Sequence, residues 1–486
     1  MTIFAGSLTA ANTQEQYESN VKAVEARQQA AAKLQLGQQL PLWSCIPFVG
    51  ILLSIALIPM IAPAFWHHHF PKIAFGWGLL FAIPFVMVYG GTGMHELLHV
   101  LLGEYVPFII LLWGLYTVSG GIYFKGSLVG KPAVNVVILL IGTILASWMG
   151  TTGAAMLLIR PLIRANKERK YKVHTVVFFI FLVANVGGLL TPLGDPPLFL
   201  GFLNGVPFFW TFKMWNKLLF SVAYLTILYT AIEMYLYRRE TKGVAQTPST
   251  PQPIKIHGGA NFLYLIGIVI AVLLSGSLHL GELQFAGLHF TYQSILRDVL
   301  IVVLGILSLK TTKAEYREAN GFTWFPIKEV AFLFVGIFMS IVAPLLILQA
   351  GKTGAASAIV AAVHSPASYF WVSGLLSSFL DNAPTYLTFF NMALGDLGIA
   401  PAQVTGILSG TLAHPMSAQF VIDLTAVSAG AVFFGANTYI GNAPNFMVRS
   451  IAEESKVPMP SFFGYMLWSV AILIPLFILM TFVFFT

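Results

Sequence analysis

Charge and cysteine are what this sequence has least of. A single cysteine, Cys45, in 486 residues excludes an intrachain disulfide and any CxxC metal or redox pair. Charged residues make up 9% of the chain, against about a quarter in a soluble domain. With 57% hydrophobic residues and a mean hydropathy of +0.80, water cannot be the main solvent. Short alternating segments, as a membrane β-barrel requires, are also missing. Residues 1–40 are polar, rich in Gln, Ala and Glu, and carry no early apolar run, which argues against a signal peptide.

What is present is a series of apolar runs long enough to cross about 30 Å of hydrocarbon. They include 42–65, 74–90, 106–124, 218–237, 325–348 and 462–485. The expectation is an all-α polytopic membrane protein with the lipid bilayer as its partner and multi-pass residence in a bacterial inner membrane. The net charge of +7 is topological, with no nucleic acid implied, because Lys and Arg cluster in 160–172, around 238–242 and in 310–317. All three stretches are expected on the cytoplasmic side.

The charged, then Pro- and Thr-rich stretch 238–259 predicts a cytoplasmic linker between two membrane repeats, 41–237 and 260–486, behind the polar segment 1–40. Each half holds one apolar stretch broken by small polar residues (ASWMGTTGAA from Ala146; LSSFLDNAPT from Leu376). Each also holds one helix broken by a Thr/Gly/Pro cluster (NVGGLLTPLGDPP from Asn185; GANTYIGNAPN from Gly435). Thr191, Gly194 and Asp195 stand 247 positions before Thr438, Gly441 and Asn442, and Ser147 and Thr151 stand 231 before Ser378 and Asn382. The count of crossings makes the repeats inverted, each with a re-entrant hairpin and a broken transmembrane helix.

A broken helix at membrane depth exposes backbone groups that hydrocarbon cannot satisfy, so such breaks persist where they line a site. The candidate ion- or substrate-binding residues are therefore Ser147, Thr151, Thr152, Asn185, Thr191, Gly194 and Asp195 in the first half. In the second half they are Ser377, Ser378, Asp381, Asn382, Thr385, Asn437, Thr438 and Asn442. These are hard oxygen donors suited to Na⁺, and intramembrane Asp195 and Asp381 are the carboxylates expected to take Na⁺ or H⁺. The coupling ions are thus Na⁺ and H⁺, with no other cofactor.

NVGGLLTPLGDPP with SSFLDNAPT resembles the paired motifs of NhaD-type sodium/proton antiporters in the ion transporter superfamily, and GANTYIGNAPN is closer to its citrate-carrier end. The resemblance spans roughly residues 75–485 and implies an elevator-type secondary transporter, a scaffold and a mobile domain, and a homodimer. Neither motif pair contains a cationic side chain to meet a polycarboxylate. The sequence therefore favours sodium/proton exchange of a small inorganic cation, with sodium- or proton-coupled citrate or other carboxylate transport as the alternative. A remote third reading is an intramembrane zinc protease built on His95, Glu96 and His99, an HExxH match. It leaves the duplicated breaks unexplained, so no enzymatic activity is expected.

Overall fold

The computed structural model describes residues 31–241, 252–278, 280–285 and 287–486. Most of the segment 1–40 and the middle of the linker lie outside the described residues. The helices before the first candidate break are α1 (Ile46–Ile61), α2 (Pro63–Leu98) and α3 (Val106–Ser119). A π-helical turn, His99–Tyr105, joins α2 to α3. After strand β1 (Tyr123–Ser127) come α4 (Pro132–Met149), α5 (Thr151–Ala165), α6 (Val173–Leu182), α7 (Pro196–Leu203) and α8 (Trp215–Thr241). The second half comprises β2 (Gln252–His257), α9 (Ala260–Ser277), β3 (Glu282–Phe285), β4 (Leu288–Thr291), α10 (Tyr292–Thr311) and α11 (Ala314–Ala319). It continues with α12 (Phe325–Ser340), α13 (Val342–Gln349), α14 (Ser357–Ala362), α15 (Pro366–Ser377), α16 (Asn382–Leu397), α17 (Val404–Ser409), α18 (Ser417–Phe434), α19 (Ala443–Glu454) and α20 (Phe462–Phe484). Among the described residues, eight helices are long and apolar enough to cross a membrane, or nine if α12 and α13, bent by 43°, form one span. The chain is an all-α polytopic membrane protein.

The three basic stretches meet at one end of the molecule. Arg164 donates to the Phe124 carbonyl at 2.8 Å, β1 pairs antiparallel with β2, and His257 stacks near Tyr316 at 4.9 Å. The linker region is therefore partly structured: α8 continues to Thr241, and residues 252–257 return as a strand against β1. At the opposite end, His95 Nε2 lies 3.2 Å from the Gly287 carbonyl and Gln38 bonds Thr353 at 2.9 Å.

Both candidate breaks at the hairpins are real. Helices α4 and α5 fold back on each other at Gly150, whose φ of 81° and ψ of 147° only glycine adopts without strain. Helices α15 and α16 do the same around Ser378–Asp381. The first hairpin has its base at the basic end, where Gly130 binds Ala165. The second has its base at the opposite end, where Lys352 meets Asp396 at 3.6 Å. Their tips point towards each other in the interior.

A buried ionic network ties the base of the first hairpin to its neighbours. Glu233 on α8, with a fully buried side chain, accepts from Arg169 Nη1 at 2.8 Å and Asn135 Nδ2 at 3.0 Å, and lies 2.6 Å from His174 Nε2. Arg169 Nε also reaches Glu240 at 2.7 Å. Glu233, isolated in a hydrophobic stretch of sequence, thus has every oxygen engaged and holds together α4, α6, α8 and the loop after α5.

Candidate functional site

The two broken helices are α6 with α7 and α18 with α19. Pro196 opens α7 and Pro444 stands in the first turn of α19; at these positions proline's missing N–H costs nothing, while it prevents the helix from continuing backwards through the break. Asp195 and Asn442 are the N-cap residues of these half-helices, yet neither uses its side chain as a cap. Both side chains turn instead into the space between the hairpin tips.

There they meet. Asp195 is 1% exposed, and three neutral donors from three different elements surround its carboxylate. Oδ1 accepts from Thr151 Oγ1 at 3.0 Å and Asn442 Nδ2 at 3.3 Å, and Oδ2 accepts from Asn382 Nδ2 at 2.7 Å. One group therefore collects the first hairpin through Thr151, the second hairpin through Asn382 and the second broken helix through Asn442. Among the described residues no Lys, Arg or His is ion-paired with it. A carboxylate buried without a countercharge is stable only when a cation or a proton joins it.

The surrounding shell repeats in the two halves. Thr191 Oγ1 donates to the Ser147 carbonyl and Thr438 Oγ1 to the Ser378 carbonyl; the same hydroxyls accept from Leu193 N at 3.1 Å and Ile440 N at 3.2 Å. Each broken helix is thus stitched to its hairpin by the same pair of bonds at the spacing found in the sequence. Gly194 and Gly441 permit the approach, because an added Cβ would strike the Gly188 and Gly435 backbones. Ser147 Oγ donates to Gly187 O, Ser377 Oγ lies 2.6 Å from Asn382 Oδ1, and Asn437 Nδ2 donates to Ser378 Oγ at 2.9 Å. The Asn437 carbonyl oxygen is buried and has no partner.

Asp381 makes a different set of bonds: its Oδ1 accepts from the Ala383 N–H at 3.1 Å and caps α16, Thr385 Oγ1 donates to its backbone carbonyl, and its charge lies near enough to act on Asp195. Asparagine also caps well. Asp381→Asn is therefore expected to leave thermal stability nearly unchanged, whereas Asp381→Ala costs about 0.5–2 kcal/mol; melting curves in detergent distinguish the two. Thr152 is half-buried beside Thr151.

The structure adds one residue to the cluster. Asn445 Oδ1 accepts from Asn185 Nδ2 at 2.7 Å, and its own Nδ2 reaches Gly435 O and Thr438 O at 2.7 and 2.8 Å. Asn185 Oδ1 in turn accepts from Asn442 at 3.1 Å. The position 247 before Asn445 is Leu198, so the repeat spacing carries no signal for it.

Residues 37–485 match the family model CitMHS_2, described as "Putative citrate transport". The chain belongs to this family. A search of curated proteins returned no match. A citrate transport family fits a site assembled from helix breaks, and its members' described role is transport rather than catalysis. In the HExxH segment Glu96 Oε2 is ion-paired with Lys33 at 3.1 Å and His95 Nε2 lies 3.2 Å from the Gly287 carbonyl.

Proposed function

We propose that this protein is a secondary transporter that moves citrate or a similar carboxylate together with Na⁺ or H⁺ held at Asp195. The observation that carries the reading is the convergence of the two hairpins and two broken helices on one buried carboxylate without a countercharge. A citrate anion cannot enter beside an ionised Asp195 unless a cation enters too, because no cationic side chain of the motifs offsets the charge. Coupling follows from that electrostatic requirement. The cation makes the site neutral, and the half-helix N-termini of α7 and α19, with the amides of Asn382, Asn437 and Asn442, then offer donors to the substrate carboxylates. The unpartnered Asn437 oxygen, next to Ser378 and Thr438, suits a second cation in the other half.

In this reading the halves are inverted repeats, supported by the equivalent threonine bonds and by hairpins that enter from opposite ends. The repeats carry the site by an elevator movement. Pure cation/proton exchange remains the second reading, favoured by the absence of a cationic side chain in the motifs; the family match favours the carboxylate.

The two are separated in proteoliposomes containing an internal pH dye and an imposed proton gradient. Citrate-dependent collapse of the gradient, or citrate accumulation driven by Na⁺, supports the carboxylate transporter. Collapse by Na⁺ or Li⁺ alone, with no citrate uptake under any gradient, overturns it in favour of exchange.

A further inference from the structure

The segment HELLHVLLGEY places titratable groups at 95, 96, 99 and 104. On a regular helix Glu104 would sit about 80° round from Glu96. The π turn over His99–Tyr105 takes up one extra residue, which removes roughly 100° and returns Glu104 to the same face. The result is a file of ionisable side chains running inward from the end opposite the basic loops. His95, about a third exposed, meets the Gly287 carbonyl; Glu96 is paired with Lys33; His99 and the buried Glu104 lie below.

Glu104 is 7% exposed, and its Oε2 has no hydrogen-bond partner. The charged groups that act on it are Lys33 and Glu96, and the side chain of Asn204 lies against it. Of the elements packed on the π turn, α3 and α7 bring no charged side chain and α2 brings His95 and Glu96; α12 carries Lys328 and Glu329, the latter facing Trp66. Single π turns inside helices are frequent at functional sites, and an intramembrane carboxylate is costly enough to point to a function.

We propose that Glu104 is a proton-binding site, filled from water at this end through His95 and His99, and connected to α7 through Asn204. One proton leaves bulk water, each imidazole accepts one and passes one on, and the carboxylate becomes a neutral acid whose O–H points to an acceptor. The polar side chain against it is Asn204, whose amide bonds the ionised carboxylate and also donates to Leu200 O at 2.9 Å, and whose Oδ1 is the acceptor for the protonated acid in this proposal. Asn204 caps the C-terminus of α7, the half-helix whose other end is Asp195. Nine residues of rise, about 13 Å, separate Asn204 from Asp195 along α7, so protonation of Glu104 bears on the element that positions Asp195. This consequence rests on the transport reading; the proton binding itself does not.

The test is infrared difference spectroscopy of the reconstituted protein during a pH titration without substrate, with uptake measured in parallel on the same vesicles. The expected result is a protonated-carboxyl band that Glu104→Gln loses, Asp195→Asn keeps and Glu104→Asp shifts. Citrate uptake by Glu104→Gln should lose its response to pH on that side, falling to less than about twofold across the range in which the wild type titrates. A spectrum of Glu104→Gln identical to that of wild type overturns the inference, even if transport is normal. If Glu104→Gln does not fold, an unshifted band in Glu104→Asp overturns it equally. A band that follows Glu104 in a protein that moves no citrate upholds the proton site and sinks the transport reading alone.

Discussion

Glu233→Ala is expected to destabilise the protein by about 3–5 kcal/mol, the cost of leaving a buried charge without its partner. Arg169 would keep Glu240 and the Gly130 carbonyl but lose its buried countercharge, and the amide of Asn135 and the ring of His174 would lose their shared acceptor in a place water does not reach. Because the network joins α4, α6, α8 and the loop after α5, the damage falls on the base of the first hairpin and on the start of the first broken helix. The measurement is the melting temperature in detergent, read by size-exclusion recovery after heating. Glu233→Gln should fall between wild type and Glu233→Ala, since an amide still accepts from Asn135 but no longer neutralises Arg169. Replacing both Arg169 and Glu233 by methionine should recover most of the loss, because a well-packed apolar pair commonly matches a buried ion pair. A double variant as unstable as Glu233→Ala would assign the effect to packing.

Asp195→Asn is expected to eliminate cation-coupled uptake while the protein still folds. The asparagine keeps the size of the side chain and one accepting oxygen, but its NH₂ must face a donor, either Asn382 Nδ2 or the Thr151–Asn442 pair. That mismatch costs about 1–3 kcal/mol, enough to lower the melting temperature by a few degrees without loss of the fold. The functional effect is larger because it removes the carboxylate on which both hairpins and the second broken helix converge. Coupled uptake should drop at least about 100-fold, equivalent to about 2.8 kcal/mol. Thr151→Ala removes one hydrogen bond to the carboxylate and should weaken apparent cation affinity by about tenfold, and Asn442→Ala, which also loses its bonds to Asn185 and the Ala184 carbonyl, should weaken it more.

Much of the architecture was visible in the residues. Hydropathy and the placement of Lys and Arg indicated the helical membrane fold, and the basic stretches do gather at one end. The Gly, Pro and Thr clusters marked the breaks because proline and glycine act locally, whatever the tertiary context. The pairs Thr191/Thr438 and Ser147/Ser378 could be aligned by spacing alone, and in the structure they make equivalent bonds. What distinguishes Asp195 from Asp381 was not visible. Both are acidic residues beside a break, and only the direction of the side chain, inward for one and onto its own helix for the other, separates them. Asn445 was hidden because its repeat counterpart is a leucine. The β1–β2 pairing and the contacts of Glu233 join residues 59–134 positions apart and leave no periodic trace. The π turn has no compositional marker either, and Glu104 on it was not among the candidate residues of the sequence.

Whether Asp195 holds the coupling cation is tested most directly by labelled-citrate uptake into proteoliposomes under an imposed Na⁺ or proton gradient, with wild type, Asp195→Asn and Asp381→Asn reconstituted side by side. Gradient-driven accumulation is expected from wild type and Asp381→Asn and none from Asp195→Asn; accumulation by Asp195→Asn equal to that of wild type would place the cation elsewhere.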